Sequence, residues 1–138
     1  MLEKRFYSLH KVDNEIKEAL VKQISRILSG IDYLVFAYIH GSFTEGGSFR
    51  DIDVAVYLTG PVKELDLESD ISFALTEKTG YPVEIRIINN ATVAFQMEVL
   101  RKGRLLLSGD DEVRTGFIEN VSSRYREYSH FRNILLSA

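Results

Sequence analysis

Cysteine and tryptophan are absent from the 138 residues, and proline occurs only twice. Without cysteine the chain forms no disulfide, no CxxC redox pair and no thiolate zinc site. No apolar run approaches the roughly 20 residues that a membrane-spanning helix requires, so no membrane partner is expected. The N-terminal stretch MLEKRFYSLH lacks the apolar core of a signal peptide, which makes the cytoplasm the expected compartment. The sequons at Asn90 and Asn120 then carry no meaning. Positive charge is not in excess either: the net charge is −3, whereas tracking a nucleic-acid backbone needs a cationic surface. No direct nucleic-acid partner is expected, and a templating polymerase or tRNA-modifying enzyme fits poorly. What remains is an ordinary globular balance, 45% hydrophobic and 27% charged. No repeat, low-complexity tract or linker divides it, so one domain over residues 1–138 is expected.

Residues 1–12 are mixed and give no clear pattern. From Asp13 the spacing of Ile16, Leu20, Ile24, Ile27 and Leu28 predicts a helix, with Asp13 as its cap and Gly30 as its stop. Tyr33 to Ile39 is continuously apolar, which suits a strand covered on both faces. A Gly/Ser-rich stretch, Gly41 to Ser48, follows. Asp51 to Leu58 then alternates, placing Ile52, Val54, Val56 and Leu58 on one face and Asp51, Asp53, Ala55 and Tyr57 on the other. Leu67, Ile71, Ala74 and Leu75 mark a second helix closed by Gly80, with Pro82 beyond. Val83 to Ile88 alternates again, leaving Glu84 and Arg86 on its polar face. Asn90 or Thr92 can cap a third helix running to Lys102, with Gly103 as its stop. Leu105 to Leu107 suits a short strand, and a final helix from about Asp111 carries Val113, Phe117, Val121, Tyr125, Tyr128 and Leu135 along one stripe. Helices alternating with strands predict an α/β or α+β sheet with helices packed against it.

The informative segment is His40-Gly41-Ser42, eight intervening residues, then Asp51-Ile52-Asp53. Two aspartates two apart on a strand project from the same face. Like charges held close disfavour each other unless a cation lies between them. Oxygen donors without His or Cys suit Mg²⁺ or Mn²⁺ rather than zinc. Gly41 lets the backbone approach a phosphate closely, and the Ser42 hydroxyl and nearby N–H groups can donate to its oxygens. A phosphate cradle feeding a dicarboxylate metal site is a layout for metal-assisted phosphoryl or nucleotidyl transfer. An Asp-x-Asp or a Gly-Ser alone is usually a solvated strand end or a turn; the order of the whole constellation is what favours chemistry.

Tyr38-Ile39-His40-Gly41-Ser42 followed by Asp51-Ile52-Asp53-Val54-Ala55-Val56 resembles the signature of the DNA polymerase β-type nucleotidyltransferases, in particular the minimal nucleotidyltransferases (MNT). Glu98 to Leu107, with the acidic turn and aromatic-bearing helix after it, is similar to the C-terminal half of the antitoxins paired with HEPN toxins. The likeness runs from residue 13 to about 130. It implies the nucleotidyltransferase fold, a small mixed sheet flanked by helices with a C-terminal helix. It also implies two Mg²⁺ ions held by three carboxylates, and ATP attacked at its α-phosphate with release of pyrophosphate. Carried onto this chain, Gly41 and Ser42 would hold the β/γ-phosphates, Asp51 and Asp53 would ligate metal, and Glu84 matches the third acid. Glu84 would then bind the second metal or take the proton of the attacking hydroxyl. The acceptor would be a hydroxyl, such as a tyrosine, of a helical HEPN-type partner.

Three departures stand out. The Ser42–Asp51 loop is shorter than is usual in the antitoxin group. Arg50 stands where Ser is common, able to meet a phosphate or to pair with Asp51. Glu84 replaces the more usual Asp. The shortened loop keeps open a second reading, an antitoxin that neutralises its partner by binding alone. Transfer to a small molecule is a third, disfavoured by the little chain left after Asp53. Elsewhere, His40 at the end of a buried strand reads as packing before catalysis, while His10 and His130 read as surface residues. Arg86 could contact a triphosphate or pair with Glu84. Lys102 and Arg104 read as residues solvating a turn. The third helix is apolar on several sides, with Val93, Ala94, Met97 and Leu100 in one stripe and Phe95 and Val99 in another. It is therefore deeply buried or meets a partner. The final helix mixes Tyr125, Tyr128 and Phe131 with Arg124, Arg126 and Arg132 and is the candidate partner surface. Homo-oligomers are compatible with either.

Overall fold

The computed structural model describes residues 8–60 and 63–137, so the opening part of the unpatterned N-terminal segment lies outside the described residues. Helix α1, Asn14–Ser29, starts where Asp13 Oδ1 accepts from the Ile16 N–H at 2.9 Å and ends at Gly30. Its buried residues are Leu20, Val21, Ile24 and Leu28. Ile16 stays 44% exposed, since the buried stripe begins only one turn later.

Strands β1 (Leu34–His40), β2 (Ile52–Leu58), β3 (Val83–Ile87) and β4 (Arg104–Ser108) form one sheet in the order β3-β2-β1-β4. β1 runs antiparallel to both β2 and β4, whereas β2 and β3 are parallel. The apolar run of β1 is buried on both faces, as its composition predicts. The parallel β2–β3 pair requires a crossover, which helix α2, Glu64–Thr79, supplies. α2 ends at Gly80, whose φ of +78° is a left-handed stop.

α1 and α2 cover one face of the sheet. There Ile24, Leu28, Leu75, Ile52, Val54, Val56 and Ile85 form the larger core cluster. The other face is not left open along its length, contrary to the solvated side that alternation alone suggests for the aspartates. Ala55 is fully buried, in a second cluster with Phe36, Tyr38, Ile88, Val99, Phe117 and Val121. The cover comes from helices α3 (Val93–Lys102) and α4 (Asp111–Ser137). The aspartate end of the face remains only partly buried.

Thr92, not Asn90, caps α3: its Oγ1 accepts from the Phe95 N–H at 3.3 Å. Gly103 ends it for a steric reason. A Cβ there would strike the Val99 carbonyl and come within 3.2 Å of the Ile39 carbonyl oxygen of β1. The several-sided apolar character of α3 is explained by its place between sheet and α4, with Val99 buried. The stripe read along α4 is split. Phe117 and Val121 are buried, while Val113, Tyr128 and Leu135 are 38%, 41% and 75% exposed. No helix among the described residues is long and apolar enough to cross a membrane. The result is the α+β architecture that the order of elements predicts, a mixed sheet flanked by helices with a C-terminal helix.

Candidate active site

Asp53 lies on β2 beside Glu84 of the parallel strand β3 and beside His40 at the end of β1. Asp51 immediately precedes β2. The odd residues of β2 point to one face and Ile52, Val54 and Val56 to the larger core, so the apolar half of the strand anchors the acidic half. Each of Asp51, Asp53 and Glu84 offers a carboxylate oxygen, and these oxygens all lie within 4.8 Å of one another. The three acids singled out in the sequence therefore come together in space.

The electrostatics of that grouping are unfavourable by themselves. Partial burial, above all, and the charges of Asp51 and Glu84 push the Asp53 carboxyl up to about 7, helped by a hydrogen bond with Asp51; Arg86 pulls the other way. A divalent cation relieves this repulsion, and an all-oxygen donor set suits a hard cation. The residues present thus fit a divalent metal.

Gly41 is held against this group. Its φ is +80°, and a Cβ on it would collide with Asp53 Oδ2 and lie 3.3 Å from the Asp53 carboxyl carbon. Ser42 follows it, exposed in a turn in which the Gly41 carbonyl accepts from the Thr44 N–H at 3.1 Å and Thr44 Oγ1 at 2.8 Å. The Gly/Ser-rich stretch is not loose filling. Phe43 and Phe49 pack edge to face at 4.9 Å in the core, and Lys17 Nζ of α1 donates to the Phe43 carbonyl at 2.9 Å and the Gly47 carbonyl at 3.4 Å. The two phenylalanines inside the loop were the available sequence signal for this anchoring; Lys17 had none.

Arg50 is exposed and makes no ion pair among the described residues, so the alternative of a structural bridge to Asp51 is not realised. Arg86 does share the exposed side of β3 with Glu84, but it stacks on the Phe95 ring, 4.4 Å from its centroid, and forms no salt bridge with Glu84. His40 also meets Phe95, edge to face at 5.5 Å, as a packing role requires. Its Nε2 is buried without a hydrogen-bond partner among the described residues. Burial first, then Arg86, hold its pKa below the usual histidine value.

Other readings need correction. His10 is not a free surface residue: it bridges to Phe49 through paired backbone hydrogen bonds of 2.7 and 3.0 Å, and its ring meets Phe49 and Tyr81. Arg104 does not simply solvate a turn; its guanidinium grips Glu18 of α1 at 2.6 and 3.0 Å. Lys102 meets exposed Glu98, at 3.5 Å. Gln96, unnoticed in the apolar pattern of α3, is buried. Its Nε2 donates to the Ile88 carbonyl at 2.7 Å, and its Oε1 accepts from Arg124 at 2.5 Å. Arg124 and Tyr125, which stacks with Arg101, therefore help dock α4 onto α3. Beyond them lies the larger exposed apolar surface of α4, at Tyr128, Phe131, Ile134, Leu135 and Leu136.

The fold is shared with solved toxin–antitoxin structures. A complex of a tri-AMPylated HEPN toxin with an MNT antitoxin from Shewanella oneidensis matches with a TM-score of 0.71 at 19% identity, over 88% of this chain and 96% of the matched one. A toxin–antitoxin structure with AMP-PNP matches with a TM-score of 0.68 at 21% identity, over 91% and 97%. The MntA–HepT toxin–antitoxin structure matches with a TM-score of 0.65 at 18% identity, over 90% and 97%. No curated protein matches the chain. The family described as polymerase beta, nucleotidyltransferase, matches residues 22–112, a span that contains the glycine–serine turn and all three acids. The chain belongs to the polymerase beta nucleotidyltransferase family.

Proposed function

We propose that the protein is an Mg²⁺-dependent adenylyltransferase that transfers AMP from ATP to a hydroxyl, such as a tyrosine, of a HEPN-type partner toxin, and so acts as its antitoxin. The observation that carries this reading is the meeting of Asp51, Asp53 and Glu84 within 4.8 Å, beside a Gly41–Ser42 turn held against Asp53. The relatives of the same fold support the choice of donor and acceptor: one is a complex with a tri-AMPylated HEPN toxin and another contains AMP-PNP.

Asp51, Asp53 and Glu84 would hold Mg²⁺, with two ions as the expected number. When bound, the metal neutralises phosphate charge and makes the α-phosphorus more electrophilic. Gly41 and Ser42 would seat the β/γ-phosphates through close backbone approach and hydroxyl donation, and exposed Arg50 is free to meet a phosphate oxygen. The acceptor oxygen bonds to the α-phosphorus as the bond to the β-phosphate oxygen breaks, and pyrophosphate leaves. The hydroxyl proton passes to a carboxylate; Glu84, exposed at the side of the group, would take it or bind the second metal. The apolar end of α4 offers the partner a surface of aromatic and aliphatic side chains.

The test is incubation of the protein with labelled ATP, Mg²⁺ and a HEPN-type protein, taken from the neighbouring reading frame where that frame encodes one. Label on the partner with wild type, and none with Asp53→Asn, is the expected result. Protection from the toxin that survives the double change Asp51→Asn, Asp53→Asn would replace transfer by neutralisation through binding.

A further inference from the structure

β3 is an edge strand, and an edge strand presents backbone donors that need partners. Here they find them on a helix. The Val83 N–H donates to Thr76 Oγ1 at 3.0 Å, the Ile85 N–H to Ser72 Oγ at 2.9 Å, and the Ile87 N–H to Glu68 Oε2 at 2.9 Å. The acceptors recur every fourth residue of α2, about 6 Å apart along a helix. Their partners recur every second residue of β3, about 6.6 Å apart along a strand. Two different periodicities thus run in step, helix antiparallel to strand, and three side chains plug the edge. Thr76 is buried and its hydroxyl also reaches the Val83 carbonyl, at 3.4 Å.

Glu84 lies between the first two of these rungs, with its side chain on the opposite face from the buried Val83 and Ile85. A one-residue slip of β3 would turn Glu84 toward the core and carry it away from Asp53. We infer that Ser72 and Thr76 are positioning residues for Glu84, fixing the third carboxylate by tying the backbone N–H groups on either side of it. The inference rests on the three acids being a metal site. Glu68, one rung further along, ties Ile87 and leaves the surroundings of Glu84 to the other two.

The probe is Mn²⁺ alone, titrated into the full-length protein by calorimetry, with amide hydrogen exchange at Ile85 and Ile87 measured in parallel. Ser72→Ala and Thr76→Val, made separately, are expected to weaken Mn²⁺ binding about tenfold, whereas Thr76→Ser, which keeps the hydroxyl, stays within roughly twofold of wild type. Glu68→Ala is expected to speed exchange at Ile87 and leave Mn²⁺ affinity within roughly twofold. Wild-type Mn²⁺ affinity in both rung variants overturns the positioning role, as does an equal loss in Glu68→Ala, which would signify a generally loosened strand. Failure of both rung variants to fold also overturns it, because the ladder would then be a requirement of folding. A wild-type protein that binds no Mn²⁺ removes the metal site itself, an outcome distinct from the others.

Discussion

The two faces of the sheet do different work with the same strand. On the face under α1 and α2, β2 contributes Ile52, Val54 and Val56, all fully buried in the larger and mainly aliphatic cluster. On the face under α3 and α4 it contributes Ala55 to a smaller, aromatic cluster, and then emerges from cover at Asp53 and Asp51. One side holds the strand by burying apolar area. The other side spends part of that stability on carboxylates packed too close for their charges, which the raised Asp53 records. Alternation at a period of two is what lets the two tasks share one strand and the residue before it.

The largest expected break of this contrast is Asp53→Asn. Transfer of AMP should fall about a thousandfold or more, a loss of about 4 kcal/mol of transition-state stabilisation. At pH 8 without metal the same variant should melt ~3 °C higher, since it removes a partly buried like charge. A variant that loses both activity and stability would mean that the acids support the fold.

Leu28→Ala tests the opposite face. Leu28 is fully buried in the larger cluster, so the truncation should cost about 2–5 kcal/mol in denaturant unfolding. Mn²⁺ affinity of the folded fraction should be unchanged. A parallel loss of affinity would show that the faces are coupled through the strand.

The pH dependence is next in size. Without a cation the folded protein keeps a proton on Asp53 up to about 7, whereas the unfolded chain releases it near the ordinary value of 3.8. The contribution of Asp53 to stability, read as the difference between wild type and Asp53→Asn, should therefore fall as pH rises through that window and level off on either side. Mn²⁺ must displace the same proton, so its affinity should weaken by up to about tenfold per pH unit below 7 and level off above. Titrations between pH 5 and 8.5 check both signs.

Arg86→Ala gives the smallest effect. Removing a cation that favours ionised Asp53 should move the midpoint of that profile upward by less than about one unit, and losing its stacking on Phe95 should cost about 0.5–1 kcal/mol. A downward movement of the midpoint would show that Arg86 does not act on Asp53.

Much of this was legible in the sequence because it is local. Caps at Asp13 and Thr92, the glycine stops and the alternation of β2 and β3 each depend on residues a few positions apart. The shared face of Asp51 and Asp53, and the place of Glu84 on the polar face of its own strand, follow from the same alternation. Lys17 clasping the loop, Arg104 gripping Glu18 and Gln96 receiving Arg124 were not legible, since each joins segments distant along the chain. Where cover ends along α4 was not legible either: the stripe runs on to Leu135, but the contacts with α3 stop at Arg124 and Tyr125 and leave Tyr128 and Phe131 exposed, on the helix singled out as the candidate partner surface.

The sequence by itself determined which residues share a face and which chemistry they can carry, because backbone geometry fixes side-chain direction residue by residue. Only the tertiary structure decided that β3 lies parallel beside β2 with Glu84 level with Asp53, and that α2 closes the edge beyond it. Strand order and register are settled by which buried surfaces fit together, and that competition involves the whole chain at once.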